Sequence, residues 1–181
     1  NAFRDCWSIK NIYFEGTADQ WASIDFASFN SQPVASYDND QNVYMNGELL
    51  TEVEITTATA INDYAFCNIK TIESVELSDS VKSIGSQAFR GCSSLKSVTI
   101  PDSVTSIKLG AFYSCESLQS VVIPEGITTL EKQTFSECSS LQSVTLPHSL
   151  RVIGESAFKS CTSLTSVVIP EGVANINYYA F

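Results

Sequence analysis

Apolar residues recur along the chain in the spacing LxxVxI, and the spacing itself recurs at Leu95-Val98-Ile100, Leu118-Val121-Ile123, Leu141-Val144-Leu146 and Leu164-Val167-Ile169. Alternation at the V-x-I positions and the β-branched residues predict a short strand entered from a turn, and Pro101, Pro124, Pro147 and Pro170 predict where each strand stops. A second short run follows, VTSI at 104–107 and ITTL at 127–130, and then an Ala-Phe pair (once Thr-Phe). Its phenylalanine returns every 23 residues, at Phe66, Phe89, Phe112, Phe135, Phe158 and Phe181. A fixed period of roughly 20–50 residues marks an array of stacked units, none of which can bury its own apolar face alone. No stretch carries a long helical period.

Each coil must travel round a flattened loop and advance by one strand spacing, roughly 4.8 Å, so that strands pair in parallel and equivalent residues stack in columns. The predicted inward columns are Leu/Ile, Val/Ile, Ile/Leu, Phe and Cys. The serine before each leading leucine, at Ser94, Ser117, Ser140 and Ser163, with Ser8 before Ile9, forms another column, read as hydroxyls satisfying turn backbone. The expected fold class is therefore an α/β-type repeat solenoid that is mostly β, with 23-residue coils and a parallel sheet on one face.

The pattern LxxVxIPxxVxxIxxxAFxxCxxL resembles the leucine-rich repeats of the BspA type, found in surface proteins of anaerobic bacteria and some protists. The match runs from Ile72 to Phe181, and Asn1 to Phe14 resembles the end of one unit and the strand of the next. Departures fall at Cys67, two places early with Ile69 in the usual Cys column, at Ile72 in place of Leu, and at Ser78 in place of Pro. The resemblance implies a cell-surface or secreted protein that engages other proteins through its repeat face.

Between Glu15 and Leu49 the period is lost. Thr17 followed by Gln20 has the spacing of a capping box and predicts a short helix covering Trp21 and Ile24. Asn46-Gly47 between Val43-Tyr44-Met45 and Leu49-Leu50 predicts a two-residue hairpin. Trp21, Phe26, Phe29, Tyr37 and Tyr44 supply apolar surface for a folded insert. The expected organisation is the end of one repeat and the start of the next over 1–16, a small α+β insert over 17–49, and continuous repeats over 50–181. The GTxxQW segment resembles a recurring insertion in this family, which implies a structural role. Both ends cut through a repeat, so the expectation is a fragment of a longer protein.

Charge and cysteine narrow the function classes. Ten Lys plus Arg against twenty Asp plus Glu give a net charge of −10, which disfavours nucleic acid. No apolar run approaches the roughly 20 residues of a membrane span. Of the six cysteines, Cys6, Cys92, Cys115, Cys138 and Cys161 share one column without any CxxC pair, which favours buried free thiols over disulfides or zinc. His148, the single histidine, occupies a column filled elsewhere by Asp79, Asp102, Glu125 and Glu171, and reads as a solvated loop residue. The same acidic column offers at most a weak calcium site without an EF-hand-like loop. No catalytic or metal residues and no cofactor are expected.

Function is expected on the outward strand positions, because the inward ones are consumed by the core. One outward column reads Tyr13, Glu54, Glu76, Thr99, Val122, Thr145, Val168, and its neighbour Asn11, Glu52, Ser74, Ser97, Ser120, Ser143, Ser166. Tyr13, Glu52, Glu54 and Glu76 are the candidate ligand-binding residues. The expected function is a non-enzymatic adhesion or binding module for a protein or glycan partner; the alternative is a passive stalk that displays another domain.

Overall fold

The computed structural model describes residues 9–26, 28 and 41–181. Cys6, Ser8, Phe29 and Tyr37 lie outside the described residues. The order of elements is β1 (Asn11–Phe14), α1 (Ala18–Ala22), β2 (Asn42–Met45), β3 (Glu48–Leu49), β4 (Glu52–Ile55), β5 (Ala60–Ile61), β6 (Ser74–Leu77), β7 (Ser83–Ile84), β8 (Ser97–Thr99), β9 (Ser106–Ile107), β10 (Ser120–Val122), β11 (Thr129–Leu130), β12 (Ser143–Thr145), β13 (Val152–Ile153) and β14 (Asn175–Ile176). These form a mostly β solenoid of parallel strands with very little helix.

Register follows the repeat. Val53 pairs with Val75 and Val75 with Val98 along the longer strands, while Ile61 pairs with Ile84 and Ile84 with Ile107 along the shorter ones. The proline rule holds physically at Ser78, whose N–H donates to the Ile55 carbonyl at 2.9 Å. Pro101, Pro124 and Pro147 cannot make that bond, and β8, β10 and β12 are each one residue shorter than β6. Strand pairing lapses between β8 and β10, and Leu164–Ile169 forms no strand although its sequence predicts one.

Opposite the strands, each coil closes through the Ala-Phe turn. There the N–H groups of Phe66, Phe89, Phe112, Phe135 and Phe158 donate to carbonyls of the following coil at 2.7–2.9 Å. The residues two before and two after each phenylalanine adopt left-handed backbone: Tyr64, Gln87, Gly110, Gln133, Ser156 and Tyr179 on one side, Asn68, Gly91, Ser114, Glu137 and Ser160 on the other. Only Gly91 and Gly110 adopt it without steric cost.

The interior is built from the predicted columns. Phe66, Phe89, Phe112, Phe135 and Phe158 are fully buried, and successive rings from Phe66 to Phe181 stack with centroids 5.2–5.7 Å apart. Cys67, Cys92, Cys115, Cys138 and Cys161 are free and buried. The four in the repeat column also donate Sγ–H to the phenylalanine carbonyl of the preceding coil, each at 3.2 Å. That carbonyl also accepts the N–H of the residue three places on in its own coil, so both of its lone pairs are used.

The serine reading is corrected. Ser117, Ser140 and Ser163 contribute their backbone N–H to the preceding coil, not a hydroxyl bond. The hydroxyl ladder lies in another column, where Ser80, Ser103 and Ser149 donate to the carbonyls of Ala58, Val81 and Ile127. That column sits at the turn beneath the second strand, where a carbonyl of the preceding coil is within reach.

Candidate binding face

The segment before the regular coils positions the candidate face. Thr17 and Gln20 form the full capping box, the Gln20 N–H donating to Thr17 Oγ1 and the Thr17 N–H to Gln20 Oε1. The helix ends at Ala22, so it carries Trp21 but stops short of Ile24. Asn46 and Gly47 turn the β2–β3 hairpin, both with positive φ.

Helix α1 stands in for a preceding coil at three places. The Trp21 indole N–H donates to the Ala65 carbonyl at 2.6 Å, the acceptor equivalent to Ala88, which Phe66 serves in the next coil. The Ala22 carbonyl accepts the Asn62 N–H at 3.0 Å, as the Ile61 carbonyl accepts that of Gly85. Asp19 accepts the N–H groups of Thr56, Thr57 and Ala58 at 2.7–3.1 Å and the Thr56 hydroxyl at 2.9 Å. Partial burial opposes ionisation of Asp19, but the backbone bonds from Thr57 and Ala58 and the Thr56 bonds outweigh it and hold the carboxyl below its usual range. Glu125 does the same for the equivalent turn, accepting the N–H groups of His148 and Ser149 at 3.2 Å. His148 is solvated as expected, and its ring Nδ1 lies 3.1 Å from Glu125 Oε1.

Glu54 and Glu76 are brought together as register partners across β4 and β6, and Glu52 is paired with Ser74. All three glutamates project from the sheet between buried Val53, Ile55, Val75 and Leu77. Tyr13 is not in register with them. It pairs with Tyr44 in the separate β1–β2–β3 sheet, and the two rings stack at 4.9 Å with 20° between planes. The repeat count places Tyr13 beside Glu54, but β2 supplies the neighbouring strand from within the non-periodic segment. Tyr13 is 68% exposed, and further along the outward face Val122 is 63% and Val168 84% exposed.

Sequence reasoning did not find a polar cluster on the Ala-Phe side. Arg90 lies 4.7 Å above the Tyr113 ring, and Glu137 accepts from Tyr113 at 2.6 Å and from Ser114 at 2.7 Å. Those hydrogen bonds, Tyr113 first, hold Glu137 below the usual carboxylate range, while burial and the neighbouring Glu137 push Tyr113 up. Its members come from three successive coils and share no motif. Among the described residues, no group of His, Cys, Asp or Glu is arranged to hold a metal ion, and no helix is long and apolar enough to cross a membrane.

Residues 59–181 match the BspA type leucine rich repeat region in six copies. The chain belongs to that family. Its model describes a repeat scaffold and indicates no catalytic family. A leucine rich cell surface protein of Faecalibacterium prausnitzii is 42% identical over 72% of this chain, with a TM-score of 0.65. The chain spans 36% of that protein. The T. pallidum leucine rich repeat protein is 28% identical, with a TM-score of 0.65, covering 70% of this chain and 69% of that one. A leucine-rich repeat protein of Eubacterium ventriosum shares the fold over 94% of this chain and 57% of its own, at 23% identity and a TM-score of 0.66. None of the curated protein sequences compared with the chain matches it.

Proposed function

We propose that this chain is a non-enzymatic, cell-surface or secreted module that binds a protein or glycan partner through its outward strand face, with Glu52, Glu54, Glu76 and Tyr13 contributing to the contact. The carrying observation is the register pair Glu54–Glu76, two exposed carboxylates side by side on adjacent strands. Like charges directly opposite each other destabilise a sheet, so the pair is a cost to the fold that a positively charged partner would relieve. The description of the F. prausnitzii relative as a cell surface protein supports the location. The division into residues 1–16, 17–49 and 50–181 is part of the same proposal, the middle segment setting the aromatic pair beside the repeats.

The continuous phenylalanine stack favours a second reading, a stiff stalk that displays another domain. Protein and glycan arrays probed with the purified chain separate the two. Any ligand found is then measured against the Glu54→Lys/Glu76→Lys double variant at low and moderate salt. Slower association in the variant, most marked at low salt, is the expected outcome. Unchanged association at both salts removes the acidic face and leaves the stalk or the Ser/Thr/Val part of the face.

A further inference from the structure

The sheet that carries Glu54 and Glu76 has an open edge. Strand β4 pairs with β6 on one side, and among the described residues no strand pairs with it on the other. The carbonyls of Thr51 and Ile55 face β6, accepting N–H groups from Glu73 at 2.6 Å and Ser78 at 2.9 Å. Main-chain groups alternate sides along a strand, so the N–H and C=O of Glu52 and Glu54 point away from β6.

The edge is closed at both ends. Leu50 N–H donates to the Val43 carbonyl at 2.8 Å, and Thr56 N–H is taken by Asp19 at 3.1 Å. Between those ends lies a cleft of about 310 Å³ whose lining includes Gly16, Thr17, Asn46, Leu49, Glu52 and Glu54. Exposed edges of this kind are the template for strand addition, where main-chain bonds give affinity and alternate side chains give specificity.

We propose that the β4 edge accepts an extended peptide segment from a partner protein, with basic residues at alternate positions and apolar residues between them. This rests on the acidic face being the binding face and adds the partner class and the mode of contact. The charge pattern selects the occupant. Side chains of an added strand on the outer face would sit directly beside Glu52 and Glu54, with Glu76 one strand further on, so lysine or arginine is favoured there and acidic residues are excluded. A second copy of this chain would set one acidic edge against another. Met45 and Leu49 in the lining of the cleft offer apolar contact to the intervening residues.

The test uses a labelled, end-capped Lys-Val-Lys-Val-Lys peptide, the same peptide N-methylated at its valine and lysine amides, and a Glu-Val-Glu-Val-Glu control, each titrated into the chain at moderate salt. The parent peptide is expected to bind, the glutamate control not to bind, and methylation to weaken binding roughly tenfold or more, the effect of losing two main-chain hydrogen bonds. Amide hydrogen exchange at Glu52 and Glu54 should be fast in the free chain and slowed in the complex. Glu54→Pro removes the edge N–H without breaking the β6 ladder and should weaken the peptide at least as much as methylation does, whereas Glu54→Gln, which keeps that N–H, should cost only a few-fold.

Equal binding of the methylated and parent peptides would overturn strand addition while leaving the acidic face as a purely electrostatic site. No binding of either peptide overturns the peptide proposal, and the array ligand's response to the charge-reversal variant then judges the face separately. Exchange protection at Glu52 and Glu54 that grows with chain concentration in the absence of peptide would assign the edge to a second copy instead.

Discussion

At the scale of single residues, the core works by repetition of one burial problem. Phe112 is fully buried between the rings of Phe89 and Phe135, at 5.4 and 5.3 Å. Phe112→Ala should therefore cost about 3–5 kcal/mol in urea unfolding, with an unchanged slope. The thiols make a separate prediction. Burial pushes Cys67 up to about 12 and Cys161 up to about 11, and pushes Cys92, Cys115 and Cys138 well above their ordinary range. An unfolded thiol ionises near pH 8.5, so above that pH the unfolded chain holds fewer protons than the folded one. The stability these thiols lend is complete below about pH 8.5 and is lost as pH rises toward the folded values near 11 and 12. The free energy of urea unfolding should fall more between about pH 8 and pH 10 for the native chain than for Cys161→Ala, by roughly 1 kcal/mol per pH unit above about pH 8.5. The Phe and Cys columns were legible in the sequence because each coil poses the same packing problem and solves it with the same residue. The left-handed columns were not, because Tyr, Gln, Gly and Ser fill them in turn and the register with the following coil imposes the backbone.

At the scale of elements, the decisive joint is the one between α1 and the first regular coil. The capping box and the hairpin turn were readable because each is local chemistry over a few residues. The docking of α1 was not, since Trp21 and Asp19 find their partners 44 and 37–39 residues away at backbone atoms that carry no sequence signal. The same blindness misplaced Tyr13, whose partner strand comes from a segment without the period. Trp21→Phe keeps most of the apolar contact but leaves the Ala65 carbonyl without its donor, and should cost about 1–3 kcal/mol. Asp19→Asn keeps the size of the side chain and removes the charge, so it should loosen the helix while leaving the later coils paired. The pH dependence has a definite sign. A carboxyl held below its usual range stabilises the fold above the unfolded value of about 3.9 and loses that contribution as pH falls through its folded value. Fluorescence of the buried Trp21 should report a transition in acid that is absent in Asp19→Asn.

At the scale of the whole molecule, stability should be transmitted only between adjacent coils. Each coil bonds to its neighbours through the Ala-Phe carbonyls and through one ring stacked on the next, and paired strands add to this except where the ladders break between β8 and β10 and between β9 and β11. A globular core would spread the effect of a cavity over many partners, whereas a linear array confines it to the coils on either side. Phe112 and Phe135 stack directly at 5.3 Å, so removing both should be non-additive: once one ring is gone, the other has already lost its partner. Phe66 and Phe158 have the rings of Phe89, Phe112 and Phe135 between them, and share no contact. A double-mutant cycle on Phe112→Ala and Phe135→Ala should give a coupling energy of about 0.5 kcal/mol or more, and the cycle on Phe66→Ala and Phe158→Ala one within about 0.5 kcal/mol of zero. Comparable coupling in both cycles would mean that distant rings communicate through the intervening coils, and nearest-neighbour stacking would then be the wrong description of the array's mechanics.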